Sequence, residues 1–179
     1  EAVERPTPAP ELPEESVLYM VDKPGAAQSV VRAYTIVGER TDDDWFPWSM
    51  GVDVLGGTFM SRVNLNLRED KGYTYGARCF TAPRYGASLA GCGASVQTEV
   101  TGPSLMELRK ELQQIQEPEG RPITQDELTY MTSTRVNGYP RRFDTPGALL
   151  SEQESIWRYG LPEDWPERYL PGVQAVTVE

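Results

Sequence analysis

The chain contains no histidine and only two cysteines among its 179 residues. A tetrahedral zinc site takes three or four ligands from imidazole, thiolate and carboxylate groups, so no conventional zinc site is expected within this chain. The lack of histidine also excludes the Ser–His–Asp and Cys–His mechanisms of nucleophilic catalysis. Catalysis by this chain alone would have to use carboxylates, lysine or tyrosine.

Long apolar runs and positive charge are also scarce. No stretch of about 18 apolar residues occurs, so no segment is predicted to span a membrane. The sequence shows no basic segment followed by an apolar stretch, as a signal peptide would have, and it reads as an excised segment. With 17 Lys and Arg against 27 Asp and Glu, the net charge is −10. Such a surface repels phosphate, so neither nucleic acid nor an anionic membrane is an expected partner.

The length and composition predict one domain behind a linker. Hydrophobic residues make up 39% and charged residues 25% of the chain, which is ordinary for a globular domain. Residues 1–16 contain four prolines and five glutamates, a composition typical of an extended and semi-stiff connector. We therefore predict a linker at residues 1–16 and a single domain at residues 17–179.

The first half of the domain carries strand patterns around a helical stretch. Apolar and β-branched residues predict strands at residues 17–21 and 28–37. A helix is expected to start near Trp45 and to stop at the pair Gly56-Gly57, and a second helical stretch follows. Residues 73–81 and 87–96 flank a turn sequence and predict a β-hairpin.

The second half is predicted to be helical. Thr124 and Glu127 have the spacing of a capping box, and Thr145-Pro146 is typical of the start of another helix. Three residues of that helix are expected on its buried side: Leu149, Ile156 and Trp157. Strands first and helices later predict an α+β fold, with an antiparallel-rich sheet covered by helices on one face.

Cys79 and Cys92 lie on the two strands of the predicted hairpin, where they can face each other. A cross-strand disulfide would indicate an oxidising compartment. The alternative is a pair of free, buried cysteines that act as small hydrophobic side chains, and the sequence alone favours this alternative.

Three short segments stand close together before the hairpin: Leu55-Gly56-Gly57, Ser61-Arg62, and Leu67-Arg68-Glu69-Asp70-Lys71-Gly72-Tyr73-Thr74-Tyr75-Gly76. Each is weak evidence by itself. A glycine pair usually ends a helix, an arginine at a helix end usually neutralises the last carbonyls, and a tyrosine in a strand is usually packing.

Together and in this order, the segments resemble the insulinase–pitrilysin family of peptidases, including its bacterial members that are similar to mitochondrial processing peptidase. The stretch Val21-Asp22-Lys23-Pro24-Gly25-Ala26-Ala27-Gln28-Ser29 resembles the opening of the second half of these proteins. Val176-Thr177 resembles the lead-in to their final helix and strand, which would be truncated here. The resemblance runs from about Val17 to the end of the chain.

The resemblance implies a LuxS/MPP-like metallohydrolase half-domain that faces a homologous zinc-bearing domain, upstream on the same chain or on a separate subunit. In the family that other domain carries a His-x-x-Glu-His motif, so zinc is expected there and no cofactor or metal ligand here. The non-zinc half contributes an arginine and, seven residues later, a tyrosine. Arg68 and Tyr75 have that separation. This chain alone is accordingly expected to be inactive.

The chemistry of the two side chains suggests their roles as catalytic groups. A phenol aimed at the carbonyl oxygen of an attacked peptide gains strength as negative charge develops there, and a guanidinium fork suits backbone carbonyls. Tyr73 is an alternative phenol, although the spacing favours Tyr75. Arg62 is expected to brace the helix corner rather than contact substrate.

Two functions therefore compete. The first is a lobe that closes over an extended peptide at the zinc site of a partner domain, with Arg68 and Tyr75 at work. The second is a structural or interaction domain of a complex without proteolysis. The family resemblance favours a periplasmic or secreted bacterial location.

Overall fold

A computed structural model describes residues 13–84, 86–117 and 119–178. Most of the predicted linker, at residues 1–12, lies outside the described residues. The strands are β1 (Gln28–Val37), β2 (Thr74–Ala82) and β3 (Ser88–Gln97). The helices are α1 (Trp45–Gly56), α2 (Arg62–Asn64), α3 (Thr101–Gln114), α4 (Gln125–Gly138), α5 (Pro146–Tyr159) and α6 (Trp165–Gln174). A π-helical turn, Leu65–Asp70, continues α2, and two 3-10 turns span Thr98–Val100 and Tyr139–Phe143.

The three strands form one antiparallel sheet in the order β1-β3-β2. The central strand β3 is rich in glycine and alanine because its neighbours crowd it. A Cβ atom on Gly91 would lie 2.6 Å from Cδ1 of Tyr34 on β1 and 3.2 Å from Cζ of Phe80 on β2. Glycine at this position therefore lets two aromatic rings close over the middle of the sheet.

Helices cover one face of the sheet. The buried cluster on that face draws on all three strands, on α1, α2 and α3, and on the π-helical turn. The end of α1 approaches β2 so closely that a Cβ on Gly56 would lie 2.1 Å from the amide nitrogen of Cys79. The opposite face has no helix against it among the described residues, and Val30 and Tyr34 are more than half exposed there. The predicted α+β fold, with helices on one face, is confirmed.

A second buried cluster joins the end of the chain to α1. Phe46 of α1 stacks on Trp165 of α6, with ring centroids 5.5 Å apart. Tyr139 stacks on Tyr169 at 4.7 Å and donates its hydroxyl hydrogen bond to the carbonyl of Pro166 at 2.6 Å. The helices α4, α5 and α6 therefore share a buried cluster with α1, on the side of α1 away from the sheet.

Two local predictions were wrong. Residues 17–21 form no strand and are 56% to 91% exposed, because no other described strand lies beside them to complete a ladder. On α5, Ile156 is buried as expected, but Leu149 and Trp157 are 47% and 75% exposed. The inward face of this helix is defined instead by Glu152 and Ile156, four residues apart.

The preference for free cysteines was also wrong. Cys79 and Cys92 are directly paired in the β2–β3 register and form a disulfide, beneath the end of α1. Both side chains are buried, at 4% and 6% exposure. Strand periodicity placed them opposite each other, but the residue pattern cannot distinguish two thiols in contact from a bond.

Reduction of this disulfide is expected to lower the melting temperature. A native disulfide typically contributes about 2–4 kcal/mol, and for a chain of this size each kcal/mol corresponds to about 2–4 °C. Thermal unfolding followed by circular dichroism, with and without dithiothreitol, measures the shift. The double variant Cys79→Ala/Cys92→Ala should melt lower and be insensitive to the reductant; equal melting in every case would contradict a structural bond.

Candidate functional site

The candidate site lies at the corner where the π-helical turn passes into β2. The amide of Gly72 donates to the carbonyl of Arg68 at 3.1 Å, and the amide of Tyr73 donates to the carbonyl of Leu67 at 2.9 Å. Gly72 has a φ angle of +66°, a left-handed conformation that a residue with a Cβ atom adopts only with strain. The glycine therefore ends the helical turn and redirects the chain into the sheet within a few residues. π-Helical turns often occur at functional sites.

Arg68 lies at the end of the π-helical turn and is held without being buried. Its guanidinium carbon is 4.6 Å from the ring centroid of Phe59, and its Nε atom is 3.1 Å from Oε1 of Glu69. The side chain is 39% exposed. Within the described parts of the chain, no hydrogen bond engages its two terminal nitrogens, which leaves those donors available to a ligand.

Tyr75 lies in a bulge at the start of β2. Thr74 pairs with Val96 and the next pair is Ala77 with Ala94, so Tyr75 and Gly76 have no regular partner on β3. Thr74 fixes this bulge with its hydroxyl, which donates to the carbonyl of Ser95 at 2.6 Å and accepts from the amide of Gly76 at 3.2 Å. The Tyr75 side chain is 91% exposed. β-Bulges commonly re-aim a side chain beside an active site.

Tyr73 has a different environment from Tyr75. Residues two positions apart on a regular strand share a face, and for this reason the sequence offers Tyr73 as an alternative phenol. The strand begins only at Thr74 and is irregular up to Ala77, so the alternation does not apply. Tyr73 instead packs against the buried cluster beneath the sheet.

Asn64 connects the two parts of the corner and was missed in the sequence. Its side chain is buried at 3% exposure. The Nδ2 atom donates to the carbonyl of Phe59 at 2.7 Å, and Oδ1 accepts from the amide of Ala77 at 3.0 Å. The Asn64 side chain therefore ties the loop at Phe59, whose ring contacts Arg68, to β2, which carries Tyr75. The only signal in the sequence was that asparagine alternates with apolar residues from Val63 to Leu67, at Asn64 and Asn66.

Arg62 braces the corner from behind, as predicted. It is 3% exposed and forms a two-pronged ion pair with Glu127, with Nε to Oε1 at 2.7 Å and Nη2 to Oε2 at 2.6 Å. It also donates to the carbonyls of Arg121 and Pro122 at 2.5 and 2.8 Å. Glu127 completes the predicted capping box with Thr124 at the start of α4. These contacts attach the corner to the helical half of the molecule.

The hydrogen bonds from Arg62 lower the pKa of the Glu127 carboxyl to about 2, and hydrogen bonds from Thr124 act in the same direction. Partial burial opposes this shift but is the smaller effect. The ion pair is therefore fully formed throughout the neutral and mildly acidic range.

Arg68 and Tyr75 lie on either side of the corner at Gly72, the first partly and the second fully exposed, and the described residues show no hydrogen bond between them. The described residues include no group of three or more His, Cys, Asp or Glu side chains that could hold a metal ion. In the same residues, no helix combines the length and apolar character needed to cross a bilayer. The arrangement offers a ligand two kinds of hydrogen-bond donor, a guanidinium fork and a phenol.

The sequence profile of the family described as "Peptidase M16 inactive domain" matches residues 1–133. The chain belongs to this family, which confirms the resemblance to the non-zinc half of insulinase–pitrilysin peptidases. Among proteins of curated function, none is detectably similar in sequence.

Solved structures show the same fold. A peptidase M16 inactive domain from Pseudomonas fluorescens superposes with a TM-score of 0.76 at 20% identity, over 86% of this chain and 36% of that one. The inactive peptidase domain of a candidate zinc protease from Bordetella parapertussis superposes with a TM-score of 0.72 at 16% identity, over 89% of this chain and 85% of that one. A protease from Helicobacter pylori superposes with a TM-score of 0.78 at 16% identity, over 88% of this chain and 38% of that one. The chain thus spans about a third of the first and third of these proteins and most of the second.

We expect the Arg62–Glu127 pair to make stability depend on pH in acid. Because the pKa of Glu127 falls to about 2 on folding from an ordinary value of 4.5, its contribution is present above 4.5 and is lost as pH falls towards 2. Glu127→Gln should lower the free energy of unfolding at neutral pH by about 1–3 kcal/mol. Urea unfolding at a series of pH values should show a shallower acid dependence in the variant.

Glu154→Gln is the matched control. It removes an ion pair with Arg158 in which both side chains are about half exposed, so its effect should be small. The same acid dependence in the Glu127→Gln variant and in the unmodified chain would show that this carboxyl does not carry the effect.

Proposed function

We propose that this chain is the non-zinc lobe of a zinc metalloendopeptidase. In this function the lobe closes over an extended peptide that is bound at the zinc site of a homologous domain, on the same chain or on another subunit. Zinc polarises the scissile carbonyl and activates water in that other domain. The observation that carries the proposal is the pair of solvent-facing donors, Arg68 and Tyr75, at one braced corner of an M16 inactive domain.

Tyr75 would act on the reacting carbonyl. A bulge presents its phenol outward, at 91% exposure, whereas tyrosine is on average a half-buried residue. Hydrolysis places negative charge on the carbonyl oxygen, and a phenol O–H donating to that oxygen stabilises the transition state more than the ground state. A purely structural lobe has no physical need for a phenol held in this way.

Arg68 would position the substrate. The Phe59 ring and Glu69 restrain its guanidinium, while its terminal nitrogens stay available. A planar fork of donors can hold a backbone carbonyl of an extended peptide in a fixed orientation. Because this contact exists before and during the reaction, its loss should weaken substrate binding more than turnover.

The disulfide supports a location in an oxidising compartment. Stable disulfides are rare in the cytosol of mesophiles and common in the periplasm and outside the cell. This agrees with the periplasmic or secreted bacterial location that the family resemblance favours.

In the complete protein, Tyr75→Phe should lower kcat by about 10²–10³-fold, the usual effect of removing one oxyanion donor. KM should change little, because phenylalanine keeps the aromatic ring and lacks only the hydroxyl. Steady-state cleavage of a fluorogenic peptide measures both constants. Tyr73→Phe is the control and should be close to the unmodified protein, since that ring packs on the core; full activity in the Tyr75 variant would refute the role.

Arg68→Gln should instead raise KM by about tenfold, equivalent to losing about 1.4 kcal/mol of binding, with a smaller change in kcat. Arg68→Lys should rescue only part of the loss, because an ammonium keeps the charge but not the planar fork. Arg109→Gln, an exposed cation on α3, is the charge-matched control. An unchanged KM for Arg68→Gln, or the same rise for the control, would exclude a positioning role.

A further inference from the structure

The face of the sheet without helices carries two side-by-side rows with different chemistry. Gly93 of β3 is paired with Arg32 of β1 on one side and with Arg78 of β2 on the other. Both arginines are exposed. The two Cα atoms are thus two strand spacings, about 10 Å, apart, and between them stands a residue without a side chain. The row, called the trough below, has a guanidinium on each side, and the Arg32 side chain leans over the glycine, because a Cβ on Gly93 would lie 3.0 Å from its Cγ.

The neighbouring row is aromatic. Gly91 is paired with Tyr34 and with Phe80, whose rings meet edge to face with centroids 6.2 Å apart. Tyr34 is 53% and Phe80 38% exposed. The hydroxyl of Tyr34 accepts a hydrogen bond from Arg32 at 3.1 Å, which links the aromatic row to the cationic one.

In the part of the chain that the structure describes, no carboxylate pairs with the cations on this face. The alternate positions of the three strands on this face hold no Asp or Glu, although the chain has a net charge of −10. Among the described residues neither Arg32 nor Arg78 forms a salt bridge, whereas most other arginines of the domain do. Two guanidiniums that form no salt bridge among the described residues of an acidic protein make a local site for a carboxylate.

We infer that this face binds an extended acidic peptide, with a carboxylate side chain between Arg32 and Arg78 and an apolar side chain on the Tyr34–Phe80 rings. Successive side chains on one side of an extended chain are two residues, about 6.8 Å, apart. The two rows have the same spacing, since they are two residues apart along each strand. The recognised pattern is therefore an acidic residue and an apolar residue separated by one residue. This inference rests on the proposed function in taking the peptide to be the substrate.

Direct binding to the complete protein, with chelator present to prevent cleavage, tests the inference. The probe is a fluorescent dodecapeptide that contains Glu-Ser-Phe, and fluorescence anisotropy gives its Kd. Peptides with Gln-Ser-Phe and Glu-Ser-Ser should each bind about tenfold more weakly, the effect of losing about 1.4 kcal/mol, and Lys-Ser-Phe weaker still. Added salt should weaken the Glu-Ser-Phe peptide most.

The variant Arg32→Gln/Arg78→Gln should bind the Glu-Ser-Phe and Gln-Ser-Phe peptides equally, while Arg109→Gln keeps the preference. Arg109 lies on α3, which packs on the covered face of the sheet, so its variant alters the net charge without altering the trough. Melting temperatures establish that the variants are folded. Tyr34→Ser should remove the preference for Phe over Ser and leave the preference for Glu.

Equal affinity for the Glu, Gln and Lys peptides would overturn the inference, as would an unchanged preference in the double arginine variant. Binding of a single-stranded oligonucleotide in place of the acidic peptide would also overturn it. The outcome is independent of Tyr75. If the unmodified protein shows no acidic preference while Tyr75→Phe lowers kcat as predicted, only this inference fails. If the acidic preference is present while Tyr75→Phe has full activity, only the proposed function fails.

Discussion

The buried side chain of Asn64 donates one hydrogen bond and accepts another, and these two bonds hold the corner that carries Arg68 and Tyr75. One fixes the loop at Phe59, and the other fixes the backbone of β2 at Ala77, just beyond the bulge. A buried amide that satisfies a backbone donor and a backbone acceptor at once is costly to replace, because an apolar side chain would leave both unpaired. The exposed Arg68 and Tyr75 thus stand on a base that has little freedom to move.

The two faces of the sheet differ, because one is packed against helices and the other is exposed. On the covered face the aliphatic cluster ties the sheet to the helices, the disulfide joins β2 to β3, and the Arg62 brace joins α2 to α4. The open face and its edge at the π-helical turn hold exposed arginines and aromatic rings. In the proposed function, groups that contact a substrate have to stay exposed in this chain. The free energy that this exposure costs is offset by the packing behind them.

The sequence predicted the elements whose signals are local. The capping box at Thr124 and Glu127, the hairpin and the glycine stop of α1 depend on residues a few positions apart, and all three are present. The failures depended on distant parts of the chain. Residues 17–21 have the composition of a strand but no described strand to pair with, and the exposure of Trp157 is set by how α5 rotates onto its neighbours.

The sequence alone predicts only part of the candidate site, because the rest depends on contacts between distant parts of the chain. The family resemblance singles out Arg68 and Tyr75 by their seven-residue separation. The tight turn between helix and strand explains the glycine at position 72. The bulge that turns Tyr75 outward, and the reach of Asn64 across 13 residues to Ala77, arise from tertiary contacts that no periodicity encodes. The row of Arg32, Gly93 and Arg78 likewise exists only once the strand register is known.

The central claim is that the Tyr75 phenol stabilises charge that develops only during hydrolysis. The most direct measurement is the affinity of the complete zinc protein for a peptide phosphonate, whose charged tetrahedral group resembles the transition state, compared with the affinity for the uncleaved peptide. The account predicts that Tyr75→Phe weakens phosphonate binding by about 10²–10³-fold and leaves peptide binding nearly unchanged. Equal effects on both ligands, or no effect on either, would contradict it.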